Sequence, residues 1–530
     1  MPEAYGRHEA HEPSEPDEHD RRDSTSPYPY PDPGGHRDVS VLTSLAQLEA
    51  TATGRAQPLA TVRHLHVSDA PLVVIPLKLA GEAAAPLAVM LGTDPADPTL
   101  LIVPQPRNRD LRFAFAADLA KLVLNHVETS RGAVEELPPG KEGEDRIRYG
   151  DAPQLMVPNR GGVGFLRLLG RSTRFRRTDG PYAVEAAVPV LGRWLTWYAD
   201  RNDHPGSSML LAMTEALRMH WATGQSSLED GNLAALMGWI DPPAGLDGPA
   251  AAARAEDPLT APPAGPATDP TFDNEVLAPA IAGYDHARRD PRAEERIRRA
   301  LSEQLLPNWE LMWRAVEVLR ALPPGASVPA RWERDRDSFT YYHQTFGEAY
   351  PQARRDPPVR AARRLHDLER AQDAYDAQRA FDDPLVMAEH RLAGQAFGGT
   401  VVDSDPTRLD ETGKRPKLRP HLRVRTEDPV RLDLGTTVCS ADRPALKGKV
   451  VEVDRRTASV LLELTGGMGR KLVPEAGVVP EIGTRVVFTS HTADSWGAAK
   501  FPDREETPWT HGGPPEEYVP SNEDAAEEWS

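Results

Sequence analysis

Leu446-Lys447-Gly448-Lys449-Val450-Val451-Glu452-Val453, followed shortly by Ser459-Val460-Leu461-Leu462-Glu463-Leu464, is the stretch on which the reading of the fold turns. Lys449 to Val453 and Ser459 to Leu464 are short, apolar and β-branched, the composition of strands. Similar patterns stand at Val430 to Leu434, Arg470 to Val473 and Thr484 to Thr489, with Gly and Pro between them at regular spacing. Together they predict a small antiparallel β-barrel over residues 418–492.

Toward the N-terminus the pattern turns helical, and residues 272–400 read as helix throughout. Pro307 divides segments at 291–306 and 308–322, because an interior proline removes a helix donor. A long segment from Val359 to Phe381 carries Leu365, Leu368, Ala371 and Tyr375 on one stripe. Another runs from Pro384 to Phe397 and stops at Gly398 and Gly399. These two predict an antiparallel helical hairpin. Residues 241–271 are almost wholly Pro, Ala, Gly and Asp, the composition of a linker.

Residues 39–240 predict a mixed region. Strand patterns occur at Pro71 to Leu79, Pro86 to Leu91, Leu100 to Val103 and Gln154 to Val157. Asp110 opens a helix bearing Leu111, Phe115, Leu119, Leu122 and Val123, and helices are expected at about 184–201, 206–223 and 227–239. Sheet first and helices after favours α+β over repeated βαβ units. The expected fold class is therefore α+β and multidomain: an α+β domain at 39–240, a linker at 241–271, a helical domain at 272–400, a β-barrel at 418–492, and disordered acidic tails at 1–38 and 501–530.

The chain has 530 residues, enough for roughly three to four domains. Its 52 prolines are near twice the usual share, which points to long linker or tail segments. The single cysteine, Cys439, excludes a disulfide framework and a multi-cysteine zinc site. No apolar run has membrane-spanning length, and the acidic N-terminus lacks the apolar core of a secretory signal. The expected location is cytoplasmic, with no membrane partner.

The formal charge of −18 is unevenly spread. Residues 1–38 carry a net −6 and residues 501–530 a net −8, so the body is nearly neutral. Positive charge clusters within it. Asn159 to Thr178 holds Arg160, Arg167, Arg171, Arg174, Arg176 and Arg177 and no acid. Gly413 to Arg425 holds Lys414, Arg415, Lys417, Arg419, Arg423 and Arg425, again without an acid. Arg354, Arg355, Arg360, Arg363 and Arg364 form a third, mixed cluster. Such clusters attract polyanions and give salt-dependent phosphate binding. The plainer alternative is a solvated face whose arginines pair with carboxylates elsewhere.

Asn159-Arg160-Gly161-Gly162-Val163-Gly164 follows an expected strand and precedes an apolar helix start. Gly161, Gly162 and Gly164 could let backbone amides approach an anion there. No Lys-Ser/Thr pair follows, and the dinucleotide fingerprint fails, so neither nucleotide-binding signature is met. A flexible turn into a helix is the competing interpretation. H-E-x-x-H, G-x-S-x-G, kinase and EF-hand patterns are absent, and the catalytic residues stay unassigned. His8/His11 and His64/His66 have metal-compatible spacing, yet no metal site and no cofactor is expected. Asp335 with Asp337, and Asp403 with Asp405, read as solvated loops. Trp194/Trp197/Tyr198 and Trp309/Trp313 read as core.

Leu446 to Val453 resembles a strand of the small nucleic-acid-associated barrels in ribosomal and helicase accessory modules. The helical hairpin that runs into it resembles the stalk-and-barrel insertions of some helicases. The tail from Glu523 to Ser530, with Trp529 near its tip, looks like the acidic tails of single-strand-binding proteins, and could also cover a basic cluster of its own chain. The two acid-free basic runs lead to the expectation of a non-catalytic adaptor that contacts the phosphates of DNA, RNA or another polyanion beside a partner enzyme such as a helicase or nuclease, with a protein partner expected. A scaffold without nucleic acid, and an enzyme with a site near Asn159 to Gly164, are the alternatives.

Overall fold

A computed structural model describes residues 40–82, 85–139, 146–258, 260–346, 353–413, 415–491 and, within 501–521, all but 508, 510, 511, 515 and 517. The first acidic tail, with His8 and His11, and the stretch from Glu523 to Ser530 lie outside these residues.

Five strands form one mixed sheet: β1 (Leu72–Lys78), β2 (Pro86–Gly92), β3 (Thr99–Ile102), β4 (Leu155–Val157) and β5 (Leu210–Ala212). Their order is β3-β2-β1-β4-β5. The first three pair antiparallel, whereas β4 and β5 add in parallel. Parallel neighbours need a crossover, supplied between β4 and β5 by α3 (Arg160–Thr173) and α4 (Ala187–Asn202).

Both faces of the sheet are covered, so β1 reads as a continuous apolar run rather than an alternating one. One face packs Val73, Ile75, Leu87 and Met90 against Ile297, Leu301, Leu305, Trp309 and Met312. The other packs Val74, Val89 and Leu91 against Phe115 and Leu119 of α2 (Arg109–Thr129), Leu166 of α3, and Trp194 and Tyr198 of α4.

Several features depart from the sequence-based expectation. The covering helix of the first face, α5 (Pro291–Arg320), is continuous through Pro307. Asn308 braces that point, its side-chain amide donating to Gln304 O and Pro263 O at 3.0 Å each. Residues 241–271 do not separate two cores. A helix at Gly248–Glu256 buries Ala251 and Ala252, Ala264 joins the sheet core, and Lys78 N–H donates to Pro266 O at 2.8 Å. Small side chains that mimic linker composition instead permit close packing. Leu210–Ala212 is strand β5, where the sequence suggests helix over 206–223.

Beyond α5 come α6 (Val328–Phe346), α7 (Pro358–Asp382) and α8 (Pro384–Leu392). The last helix ends near Gly394, at φ +79°, not at Gly398. The chain then enters a closed six-stranded barrel of β6 (Ala396–Asp405), β7 (His421–Arg425), β8 (Thr437–Ser440), β9 (Lys447–Asp454), β10 (Ser459–Gly466) and β11 (Arg485–Thr489). Every pairing is antiparallel, in the order β6-β7-β10-β9-β8-β11, with β11 closing on β6. Phe397, Leu422, Val424, Val438, Val450, Leu462 and Phe488 fill its interior. Val430 to Leu434 and Arg470 to Val473 are irregular, so the barrel takes strands from 396 onward that were not expected. Among the described residues no helix is long and apolar enough to cross a membrane.

Candidate functional site

The arginine run that begins on helix α3 is divided: Arg176 is buried, Arg171 is exposed, and the other four are half-buried. The helix start is capped by Asn159, whose Oδ1 accepts from Gly162 N–H at 3.1 Å while its amide donates to Gly265 O at 2.8 Å. A Cβ on Gly161 would sit 2.8 Å from Pro266, and one on Gly162 3.0 Å from Val157. Those two glycines thus pack closely at a helix start where the Gly162 N–H is already bonded; Gly164 faces open space.

Arg160 opens the helix, at the end remote from Arg171 and Arg174. Arg167 spans to α4, donating to Ala199 O at 2.9 Å and Asp203 Oδ2 at 2.7 Å. Arg176 is buried, its Nε donating to Ser172 O at 2.7 Å. Arg177 pairs with Asp179 at 2.9 Å.

The second run lies on and beside the barrel. Lys414 falls outside the described residues, Arg415 is exposed, and Lys417 is exposed on a short strand paired with Leu409–Asp410. Arg419 donates to Leu418 O at 3.0 Å. On β7, inward Leu422 and Val424 alternate with outward His421, Arg423 and Arg425. Acids occupy the neighbouring outward positions. Arg423 pairs with Glu452 at 2.8 Å and stands in register with Asp403, while His421 stands opposite Asp405 and Glu463. Asp403 and Asp405 are accordingly exposed strand residues of β6. Remote acids offset the charge that the local sequence left unbalanced.

A different basic surface forms where the end of α3 meets the chain entering α7. Arg174 Nη2 donates to Ala353 O at 3.2 Å, and its guanidinium lies 4.4 Å from the Phe175 ring. Arg354 approaches the same ring at 5.5 Å. Burial, and then Arg171 beside it, push the Arg174 pKa down, against the pull of Asp200. Arg364 pairs with Asp200 at 3.1 Å, and Arg360 lies 3.8 Å from Asp356. Arg364 also lies 3.7 Å from Asp356, so Asp200 and Asp356 sit among the arginines of this surface.

The acidic C-terminal segment reaches this surface. Tyr518 OH accepts from Arg354 N–H at 2.9 Å, and the Arg355 guanidinium lies 5.2 Å from the Tyr518 ring. Arg363 lies 5.8 Å from the Phe501 ring, which meets His366 edge-on at 6.0 Å. Planar rings over guanidinium groups are the contacts that nucleobases also make.

A buried polar seam holds this frame together. Asp335, 1% exposed on α6, accepts from Ser207 Oγ and Ser208 N–H at 2.7 Å each and pairs with Arg201 at 2.9 Å. It is no solvated loop residue. Arg331 donates to Ser327 Oγ, Gln378 Oε1 and His64 O at 2.6, 2.9 and 2.9 Å. Asp383, fully buried, caps α8 through Leu385 N–H and accepts from Thr61 N–H at 2.6 Å. Burial works to raise its pKa, but hydrogen bonds from His64, Thr61 and Leu385 prevail and hold the carboxyl below its ordinary range. Burial pushes His66 down to about 4 and His220 down to about 3. His66 stacks on Trp332 at 3.9 Å, and His220 Nε2 accepts from His64 N–H at 3.0 Å. These groups join segments more than a hundred residues apart, which no local motif reveals.

No family model matches the chain, and neither a curated protein nor a solved structure matches it.

Proposed function

We propose that the chain is a non-catalytic adaptor that contacts the phosphate backbone of DNA or RNA and acts beside a partner enzyme. The observation that carries this reading is the meeting of Arg174, with Arg171 beside it, and Arg354 at the Phe175 ring, where the chain carrying Arg355, Arg360 and Arg363 begins. Guanidinium groups bind phosphate oxygens in a fork geometry and stack on bases, so such a surface suits single strands as well as duplex. Binding of this kind is weakly sequence-specific. The hairpin of α7 and α8 leading into the barrel fits an accessory module of the stalk-and-barrel kind.

The acidic C-terminal segment, with Tyr518 and Phe501 on the arginines, acts in this reading as a weak internal competitor. A protein–protein scaffold is the second reading, favoured by α-helix Val41–Thr53, whose Val41, Leu45 and Leu48 stand exposed on one stripe. The packed start of α3 lends no support to an enzyme site at Asn159 to Gly164.

Fluorescence anisotropy with labelled 30-nucleotide single- and double-stranded DNA and RNA, from 50 to 200 mM salt, tests the proposal. Four to five phosphate contacts would give a log K against log salt slope of about −4 on duplex. Affinity that ignores salt, or no binding at 50 mM, would rule the reading out in favour of the scaffold.

A further inference from the structure

Three donor atoms converge where α8 joins the barrel. His390 lies near the end of α8, Gln395 in the turn after it, and His491 just past β11. His491 Nε2 is 3.0 Å from His390 Nδ1. Gln395 Oε1 is 3.1 Å from His390 Nδ1 and 3.4 Å from His491 Nε2.

The backbone holds this triangle in place. Gln395 N–H donates to His390 O at 3.0 Å, and Ser490 N–H donates to Gln395 O at 3.0 Å. The thiol of Cys439 donates to His491 O at 3.0 Å. Two ring nitrogens and an amide oxygen, each able to present a lone pair, thus face one another.

The spacings have a second meaning. Ligand atoms about 2.0–2.1 Å from a cation lie about 2.9 Å apart at octahedral edges and about 3.3 Å apart at tetrahedral ones. Edges of 3.0, 3.1 and 3.4 Å fall on that scale. Neutral imidazole nitrogens suit zinc, copper and nickel, whereas magnesium and calcium prefer all-oxygen sets. Among the described residues no three of His, Cys, Asp and Glu converge on one point, so the set depends on the amide oxygen.

We propose that His390 Nδ1, His491 Nε2 and Gln395 Oε1 form a binding site for a divalent cation of the zinc, copper or nickel class, with water completing its coordination. The ion would clamp α8 to the end of β11 and so fix the barrel on the hairpin. Imidazole–imidazole hydrogen bonding with a flipped Gln395 amide is the alternative, and it needs no ion.

Isothermal titration of the full chain, stripped with chelator and titrated with zinc or nickel chloride, decides between them. The site predicts one saturable equivalent that is lost in His390→Ala and in His491→Ala. The same equivalent should survive in a His8→Ala/His11→Ala variant, which removes a closely spaced pair elsewhere in the sequence. Gln395→Glu, at an exposed position, exchanges the amide oxygen for a carboxylate and should tighten binding about tenfold. Binding that persists unchanged in both histidine variants, or no saturable binding below about 1 mM, or a Gln395→Glu variant no tighter than the parent, would overturn the proposal.

Discussion

Helix α3 and the start of α7 carry similar densities of arginine, yet they use them in opposite ways. α3 is packed between the sheet and α4, so Arg167 and Arg176 must find partners inside the fold, and Asp203 and Ser172 O provide them. The first turns of α7 stand clear of the core, and residues 360 to 365 are exposed. There Arg355 and Arg363 meet aromatic rings of the acidic C-terminal segment. Freedom from acids in the local sequence therefore says little about exposure. A helix between two layers recruits remote carboxylates, while a helix at the rim keeps its cations for solvent or ligand.

The inward and outward regions should separate most clearly in acid. His66 and His220 are held neutral by burial, at about 4 and about 3, whereas an unfolded histidine titrates near 6.5. Their native pKa values are depressed, so the unfolded chain binds more protons below pH 6.5 and stability falls with pH. Each contributes about 1.4 kcal/mol per pH unit between the two values. Urea midpoints measured from pH 7 to pH 4 should drop steeply and reversibly; a flat profile would mean that these rings are solvated.

Asp335→Ala comes next in size. It leaves Arg201 without its buried counter-charge and should cost about 3–5 kcal/mol by denaturant titration. Loss under 1 kcal/mol would show that the seam is hydrated. Arg167→Ala, on the inward side of the comparison, should cost about 1–2 kcal/mol and leave polyanion affinity unchanged. Arg363→Ala should do the reverse: stability within about 0.5 kcal/mol, but a salt slope shallower by about one. Exchanged outcomes for this last pair would invert the assignment of inward and outward arginines.

Much of the architecture was readable from local pattern. Lys449 to Val453 and Ser459 to Leu464 announce a barrel because short β-branched runs between turns have few other uses. The barrel's first two strands are hidden in the sequence for physical reasons. Gly398 and Gly399 imitate a helix stop, although a Cβ on Gly399 would meet Arg425 O across the strand pair. In β7, alternate arginines on the outer face look like a charge run. Pro307 suggests a break that Asn308 repairs. Within the candidate surface, Arg171 and Arg174 stood out by composition, but their union with Arg354 and Arg355 spans some 180 residues and depends on tertiary packing. The seam around Asp335 was illegible for the same reason, since its partners Arg201, Ser207 and Ser208 come from another part of the chain.

Two charge-reversal variants measured side by side, by anisotropy at 50 mM salt, test the central claim most directly. Arg354→Glu/Arg355→Glu/Arg363→Glu should weaken binding to a 30-nucleotide strand at least a hundredfold, about 2.7 kcal/mol, with an unchanged circular dichroism spectrum. Arg415→Glu/Lys417→Glu, on the barrel side, should weaken it less than threefold. Equal losses from both, or none from the first, would contradict the assignment of the binding surface to the meeting of α3 and α7.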